Sequence, residues 1–174
     1  MINEVLKNII TRRSVKKYRP EQIKAEELDA VLEAGLYAPS GMGAQSPVMV
    51  AVQDRETMEQ IVRMNAAVMG TDANPYYDAP TVILVFGPSD RRTCVEDASC
   101  VLENMMLAAH SIGLGSRWIH REKEMFGTEE GRALMKKWGV PEGHTGVGAL
   151  SLGYPDGEPK EAAPRREGRI IYVK

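Results

Sequence analysis

The chain is poor in the residues that most often announce a chemistry. Of its 174 residues, two are cysteine, three are histidine and 6% are aromatic. Cys94 and Cys100 are six positions apart in a helix-like stretch, so they face different directions and cannot meet the Cα separation of a disulfide. They also lack metal-ligand spacing. His110, His120 and His144 are scattered, and each on its own reads as a satisfied or solvated side chain rather than a catalyst. No apolar run reaches the roughly 18 residues of a membrane span. There is no basic excess either: 22 Lys and Arg stand against 24 Asp and Glu, a net charge of −2, which excludes the profile of a general nucleic-acid binder. There is no Walker loop, no HExxH and no GxSxG. Gly113-Leu114-Gly115-Ser116-Arg117-Trp118 begins like a dinucleotide fingerprint, but it lacks the third glycine and lies between a helix and a strand in the wrong order. The opening Met1–Asn8 carries an early acid and no apolar core, so it does not read as a secretory signal. Two free thiols and ten Met fit a cytoplasmic protein in a reducing compartment.

What is present suits one globular domain over residues 1–174: 43% hydrophobic and 26% charged, without repeats or low-complexity linkers. Ile2, Val5, Leu6 and Ile9 have helical spacing, as do Leu28, Val31, Leu32, Gly35 and Leu36 before Pro39. Residues 47–53 read as a strand, and Asp54 as the N-cap of a helix carrying Met58, Ile61 and Val62. Residues 65–79 read as polar and irregular. Residues 81–86 (TVILVF) form a continuously apolar strand, the pattern of one buried on both faces. The longest helix is expected over 93–112, closed by Gly113. A short strand follows at 116–119, then a helix capped by Thr128 and closed by Gly139. Strands are expected at 145–154 and at 169–173. This irregular order favours an α+β fold over a doubly wound sheet. The apolar 169–173 strand needs a partner, and a second subunit supplies one economically.

Three features carry chemistry. Thr11-Arg12-Arg13-Ser14-Val15-Lys16-Lys17-Tyr18-Arg19-Pro20 places five cations in ten residues of an otherwise mildly acidic chain. Read on charge alone it is equally a solvated loop, and short basic clusters also bind nucleic acid or act as localisation signals. Arginine forks, a serine hydroxyl and a helix end suit a phosphate monoester. The second feature is Ala38-Pro39-Ser40-Gly41-Met42-Gly43-Ala44-Gln45-Ser46-Pro47, a small-residue turn whose backbone can approach a flat ligand closely. The third is Arg165-Arg166. Alone it reads as solubilising charge, and together with Arg12 and Ser14 as a clamp on a phosphate.

In order and spacing these segments resemble the FMN-dependent nitroreductase family over nearly the whole chain. Arg12-Arg13-Ser14-Val15-Lys16-Lys17-Tyr18 is similar to its opening motif, and Ala38-Pro39-Ser40-Gly41 with Gln45 to its characteristic turn. Tyr77-Asp78-Ala79-Pro80, Gly113-Leu114-Gly115-Ser116 and Trp118-Ile119 also match small members. The resemblance implies a mainly antiparallel sheet flanked by helices, a homodimer, and a C-terminal strand exchanged with the partner. It implies that Arg12, Ser14 and Arg165 hold the FMN phosphate, with Arg13 and Arg166 close by and Lys16 near the pyrimidine edge. The resemblance also implies that Pro39, Ser40, Gly41 and Gly43 come from the partner subunit and that Gln45 is among the cofactor-binding residues. Trp118, Ile119 and His120 lie along the ring, with a backbone N–H toward N5. Tyr76, His120 and Arg121 are expected near the substrate. Gly43 stands where the family commonly has Asn, and Ser46-Pro47 where it has Pro-Trp. His120-Arg121 is also more cationic than the usual segment.

The activity so implied is ping-pong hydride transfer from NADH or NADPH through flavin N5 to a nitroaromatic, quinone or similar electrophile, with no protein acid or base in the first half-reaction. No nucleic-acid or membrane partner and no metal belong to this reading. The competing readings are a same-fold flavoprotein with another substrate, such as a dehydrogenase or reductive dehalogenase, and a non-catalytic FMN- or nucleic-acid-binding protein.

Overall fold

The computed structural model describes residues 2–174. Its frame is a four-stranded sheet of β1 (Val48–Val52), β2 (Thr81–Pro88), β3 (Gly115–Ile119) and β4 (His144–Gly153), in the order β1-β2-β4-β3 with every pair antiparallel. The helices are α1 (Glu4–Thr11), α2 (Ala25–Leu36), α3 (Arg55–Met69), α4 (Cys94–Ser111), α5 (Glu122–Phe126) and α6 (Glu129–Lys137). A single 3-10 turn spans Gly41–Gly43. Among the described residues no helix is long and apolar enough to cross a membrane.

Strand β2 shows why the molecule is layered. Its side chains alternate faces. Ile83 and Val85 join Val31 of α2 and Ala98, Leu102 and Met105 of α4 in one core. Val82, Leu84 and Phe86 join Ile61 of α3, Met125 and Phe126 of α5 and Leu134 of α6 in the other. Helices therefore cover both faces, and β2 is apolar throughout because neither face meets water. Where Val85 pairs with Gly148 and Phe86 with Gly146, Val147 of β4 is an extra residue, a β-bulge.

The expected caps are present. Asp54 accepts from the Thr57 N–H at 2.8 Å, and Thr128 from the Gly131 N–H at 3.0 Å. Gly113 and Gly139 take the left-handed conformation, with φ of 83° and 75°.

Three expectations are corrected. Helix α3 runs on to Met69, so residues 65–69 are helical: the polar Asn65 faces inward with 0% exposure and does not break the turn. Helix α5 went unseen because five residues are too few to show a period. Residues 169–173 form no strand within the protomer, because a strand needs an edge to pair with. Ile170, Ile171, Tyr172 and Val173 are 72–94% exposed. Helix α1 forms as expected, yet none of its residues is buried in the protomer.

Two glycines separate packing from propensity. A Cβ on Gly131 meets the Met125 carbonyl oxygen at 2.3 Å and the Phe126 Cα at 2.5 Å, backbone atoms that cannot yield. A Cβ on Gly35 meets the Met49 sulfur at 2.7 Å, the far end of a flexible side chain. Gly131→Ala is therefore expected to lose about 2–3 kcal/mol in denaturant titration. Gly35→Ala stays within about 1 kcal/mol of the parent, since alanine improves the helix. Equal losses at the two positions would contradict this packing.

Candidate functional site

The cationic segment is laid down by main-chain pairing. After α1, Ser14 bridges Ser116 of β3 in parallel, and the Val15 N–H donates to the Ser116 carbonyl at 3.0 Å. Gly115 makes this approach possible, since a Cβ there would meet Val15 at 2.8 Å. On its other side the segment pairs with the chain leaving β4. Arg19 N–H donates to the Tyr154 carbonyl and Asp156 N–H to the Lys17 carbonyl, each at 2.9 Å. Lys17 Nζ meets Asp156 Oδ2 at 2.6 Å, an exposed ion pair that finds the partner its sequence context did not show.

From Asp156 the tail turns back, and residues 156–163 with Arg165 face Arg12, Arg13, Ser14, Lys16 and Lys17 across a cavity of about 630 Å³. Residues more than 140 positions apart in sequence thus share one wall-to-wall site. Arg12 and Arg13 line the cavity, and Arg12 Nη1 and Arg13 Nε are buried without a hydrogen-bond partner. Ser14 and Lys16 are exposed to the cavity, and Lys16 makes no ion pair among the described residues. Arg13 lines the cavity but spends Nη1 on the Ile10 and Arg12 carbonyls at 2.8 and 2.7 Å, so its role is to close the end of α1. Arg166 is corrected: it lines a neighbouring hollow with Arg169, not the cavity of Arg12. The positive field is felt by His110, beside Thr11 at 2.9 Å, whose pKa is lowered by burial and then by Arg12 and Arg13.

The Pro39–Gln45 turn is elsewhere. Its Gly41 N–H donates to Asp97 Oδ1 at 2.8 Å, its Gly41 carbonyl accepts from Arg91 Nη2 at 2.9 Å, and a Cβ on Gly41 would strike the Thr93 hydroxyl at 2.6 Å. These anchors sit at the N-terminal end of α4. Helix α1 is tied to its C-terminal end, by Asn8 Nδ2 to the Leu107 carbonyl and by Thr11 to His110. About 15–25 Å of helix separates the two attachments. No residue of the turn lines the Arg12 cavity. Met42, Gly43 and Gln45 all have positive φ (58°, 64° and 48°), and Met42 is fully exposed. The buried Asp97 is a residue the sequence reading missed; nothing in a helix-spaced acid reveals that a distant turn will use it.

Trp118, His120 and Arg121 line a third hollow of about 280 Å³ with Tyr77 and Arg117. The Arg117 guanidinium lies 4.7 Å above the Tyr77 ring. Ile119 also lines this hollow; its side chain is buried in the core, so it offers a ligand its backbone. Tyr76 is corrected as well. It is 0% exposed, and its hydroxyl donates to Glu122 Oε1 at 3.2 Å, so it is a core residue with a satisfied polar tip.

Glu122 itself escaped the sequence reading. It is fully buried, and Oε1 also accepts from Asn65 Nδ2 at 3.2 Å. Burial pushes its carboxyl up to about 7, against hydrogen bonds and the nearby Arg121 that favour the charged form.

These features were compared with known proteins. The model of the nitroreductase family matches residues 9–154. A protein of Archaeoglobus fulgidus named as an NADH dehydrogenase/NAD(P)H nitroreductase is 34% identical over 165 residues, 90% of this chain and 88% of that protein. A Bacteroides fragilis nitroreductase solved with bound FMN superposes with a TM-score of 0.91 at 35% identity, covering 99% of this chain and all of the other. A nitroreductase from Desulfitobacterium hafniense, also with bound FMN, gives 0.89 at 26% identity over the full length of both chains. A sheet of this order, covered on both faces and flanked by a cation-walled cavity, is thus the frame of a flavoprotein class. The chain belongs to the nitroreductase family.

The buried carboxyl has a thermodynamic signature. Its folded pKa of about 7 exceeds the ordinary 4.5, so its contribution is fully present below about pH 4.5 and is lost as pH rises to about 7. The loss is on the order of 3 kcal/mol. Glu122→Gln cannot ionise. Its thermal midpoint is expected to gain on that of the parent between those limits and to run parallel above them. A constant difference across the range would contradict it.

Proposed function

We propose that this chain is an FMN-dependent oxidoreductase that takes reducing equivalents from NADH or NADPH and passes them to an electron-poor acceptor such as a nitroaromatic or a quinone. The observation that carries the reading is the cavity in which Arg12, Ser14, Lys16 and Arg165 converge, with a buried Arg12 N–H that lacks a partner. An unpartnered desolvated guanidinium is costly unless an anion meets it, and a phosphate monoester supplies both charge and acceptor oxygens. Family membership and two FMN-bound relatives support the same reading.

On this reading Arg12 and Ser14 hold the phosphate from the body of the protein, and Arg165 closes on it from the tail. Lys16, two residues beyond Ser14, stands toward the ring and favours negative charge on it. Trp118 and the His120 backbone, at the open end of β3, flank the ring. FMN held there would supply the two-electron redox chemistry that the side chains lack. The protein's own task is therefore to bind, orient and exclude water. The Pro39–Gln45 turn is too far along α4 to serve the same protomer's cavity, so it serves the partner's in a homodimer. The bare faces of α1 and of residues 170–173 are the surfaces that such a partner covers.

The purified protein is expected to be yellow and to bleach with NADH or NADPH under anaerobic conditions; a protein that takes up no added FMN would sink the reading. Arg12→Ala combined with Arg165→Ala should weaken FMN binding by roughly a hundredfold or more and leave riboflavin binding little changed. Equal losses for both ligands would show that neither arginine serves the phosphate. Light scattering at micromolar concentration should report a dimer, and a monomer would remove the partner-supplied turn.

A further inference from the structure

The buried cluster around Glu122 has no place in the chemistry described so far, yet it is aimed at the turn that ends β3. Asn65, 0% exposed, is its hub. The two Nδ2 hydrogens of Asn65 are shared among three acceptors, the His120 carbonyl at 3.1 Å, the Tyr76 hydroxyl at 3.1 Å and Glu122 Oε1 at 3.2 Å. Its Oδ1 accepts from Arg121 Nε at 2.9 Å. One amide therefore grips both residues of the turn, the carbonyl of His120 and the guanidinium of Arg121. Arg121 has φ of 87°, a left-handed backbone that a non-glycine residue holds only when its surroundings insist.

Glu122 decides how that amide sits. Turning the amide over would set its oxygen against the His120 carbonyl and the Glu122 carboxylate, and its N–H groups against a guanidinium. A Cβ on Gly146 of β4 would come within 2.5 Å of the Glu122 carbonyl oxygen, so the strand packs directly on the start of α5. A glutamine would make the same contacts without burying an ionisable group, and here Oε2 is left buried with no partner. An ionisable residue kept at such a cost points to a role that uses its charge.

We propose that Glu122 is a positioning residue: through Asn65 it holds the His120–Arg121 turn, and its ionisation state sets how that turn meets the flavin. This deepens the reading given under Proposed function and rests on it. Ionised Glu122 draws both the Asn65 N–H and the Tyr76 hydroxyl. Neutral Glu122 releases part of that pull, and the amide's grip on the His120 carbonyl changes with it. The charged or titratable groups facing the carboxyl are Tyr76 before β2, Arg121 at the turn and Glu124 on α5, while α3 and β4 present only Asn65 and the Gly146 backbone. His120 is exposed beside the turn.

The test is the absorption band of the oxidised, FMN-loaded protein across pH, since oxidised flavin has no ionisation of its own in the neutral range. The parent is expected to show a titration of the band near pH 7. Glu122→Gln should abolish it, His120→Gln should keep it, and Asn65→Ala should abolish it by cutting the link. Tyr76→Phe removes a donor that favours the carboxylate and should move the titration to higher pH, which keeps the test open if the Glu122 variant fails to fold. A titration that survives Glu122→Gln, that stays put in Tyr76→Phe, or that disappears only with His120→Gln would overturn the proposal. One that survives Asn65→Ala would show that Glu122 acts through its field and not through the amide, which also overturns it. A parent protein that binds no FMN would instead overturn the flavin reading itself.

Discussion

A single helix sets the distances on which the candidate site depends. Helix α4 is 18 residues long and is clamped at both ends by segments that bear on function. At its N-terminal end Asp97 and Thr93 hold the Gly41 turn. At its C-terminal end Leu107 and His110 hold α1 and the cations that follow. Because α4 is packed along its length against α2 and the sheet, it cannot bend to bring these ends together. On the reading proposed above, this rigid spacer keeps two parts of one site apart within the chain, and symmetry between copies is the inexpensive way to reunite them.

The wall that carries Arg12, Ser14 and Lys16 follows a different logic. It is assembled by backbone pairing of an irregular segment between β3 and the chain leaving β4. The side chains are free to carry charge because the main chain does the holding. Positive charge is concentrated where the carbonyls at the end of α1 are capped by Arg13, which eases the crowding of like charges. Lys17 is paired with Asp156; Arg12, Lys16, Lys160 and Arg165 also line the cavity, with Glu158 and Glu161 in the tail wall.

Much of this was legible in the amino-acid sequence, and the failures have a common cause. Caps at Asp54 and Thr128, the closing glycines 113 and 139, and the uninterrupted apolar β2 are local signals that tertiary structure had no reason to override. The Arg12–Ser14 motif and Arg165 were legible through spacing and through resemblance, and they do share a cavity. What was not legible depends on contacts between distant residues. Asn65 fell in a stretch read as polar and irregular and is a buried hub, and Tyr76 looked like a substrate contact and is core. Asp97 and Glu122 drew no reading and are both buried, 4% and 0% exposed. Apolar periodicity cannot flag a polar side chain that faces inward, because its burial is decided by partners many residues away. The strand expected at 169–173 is absent for the complementary reason: its edge is not supplied by this chain.

The tail that supplies Arg165 differs in kind from the wall it faces. The last main-chain hydrogen bond fastening it to the body is that of Asp156 to Lys17, and from residue 157 onward it contributes neither helix nor strand nor buried side chain. The remaining fastener, Lys17 with Asp156, is an ion pair in water and is weakened by salt. Access to the cavity and stability of the fold are therefore separate quantities in this protein. The flap can lift, and a bound anion can be exchanged, without a single sheet hydrogen bond being broken, and ionic strength acts on the first process while leaving the second nearly untouched.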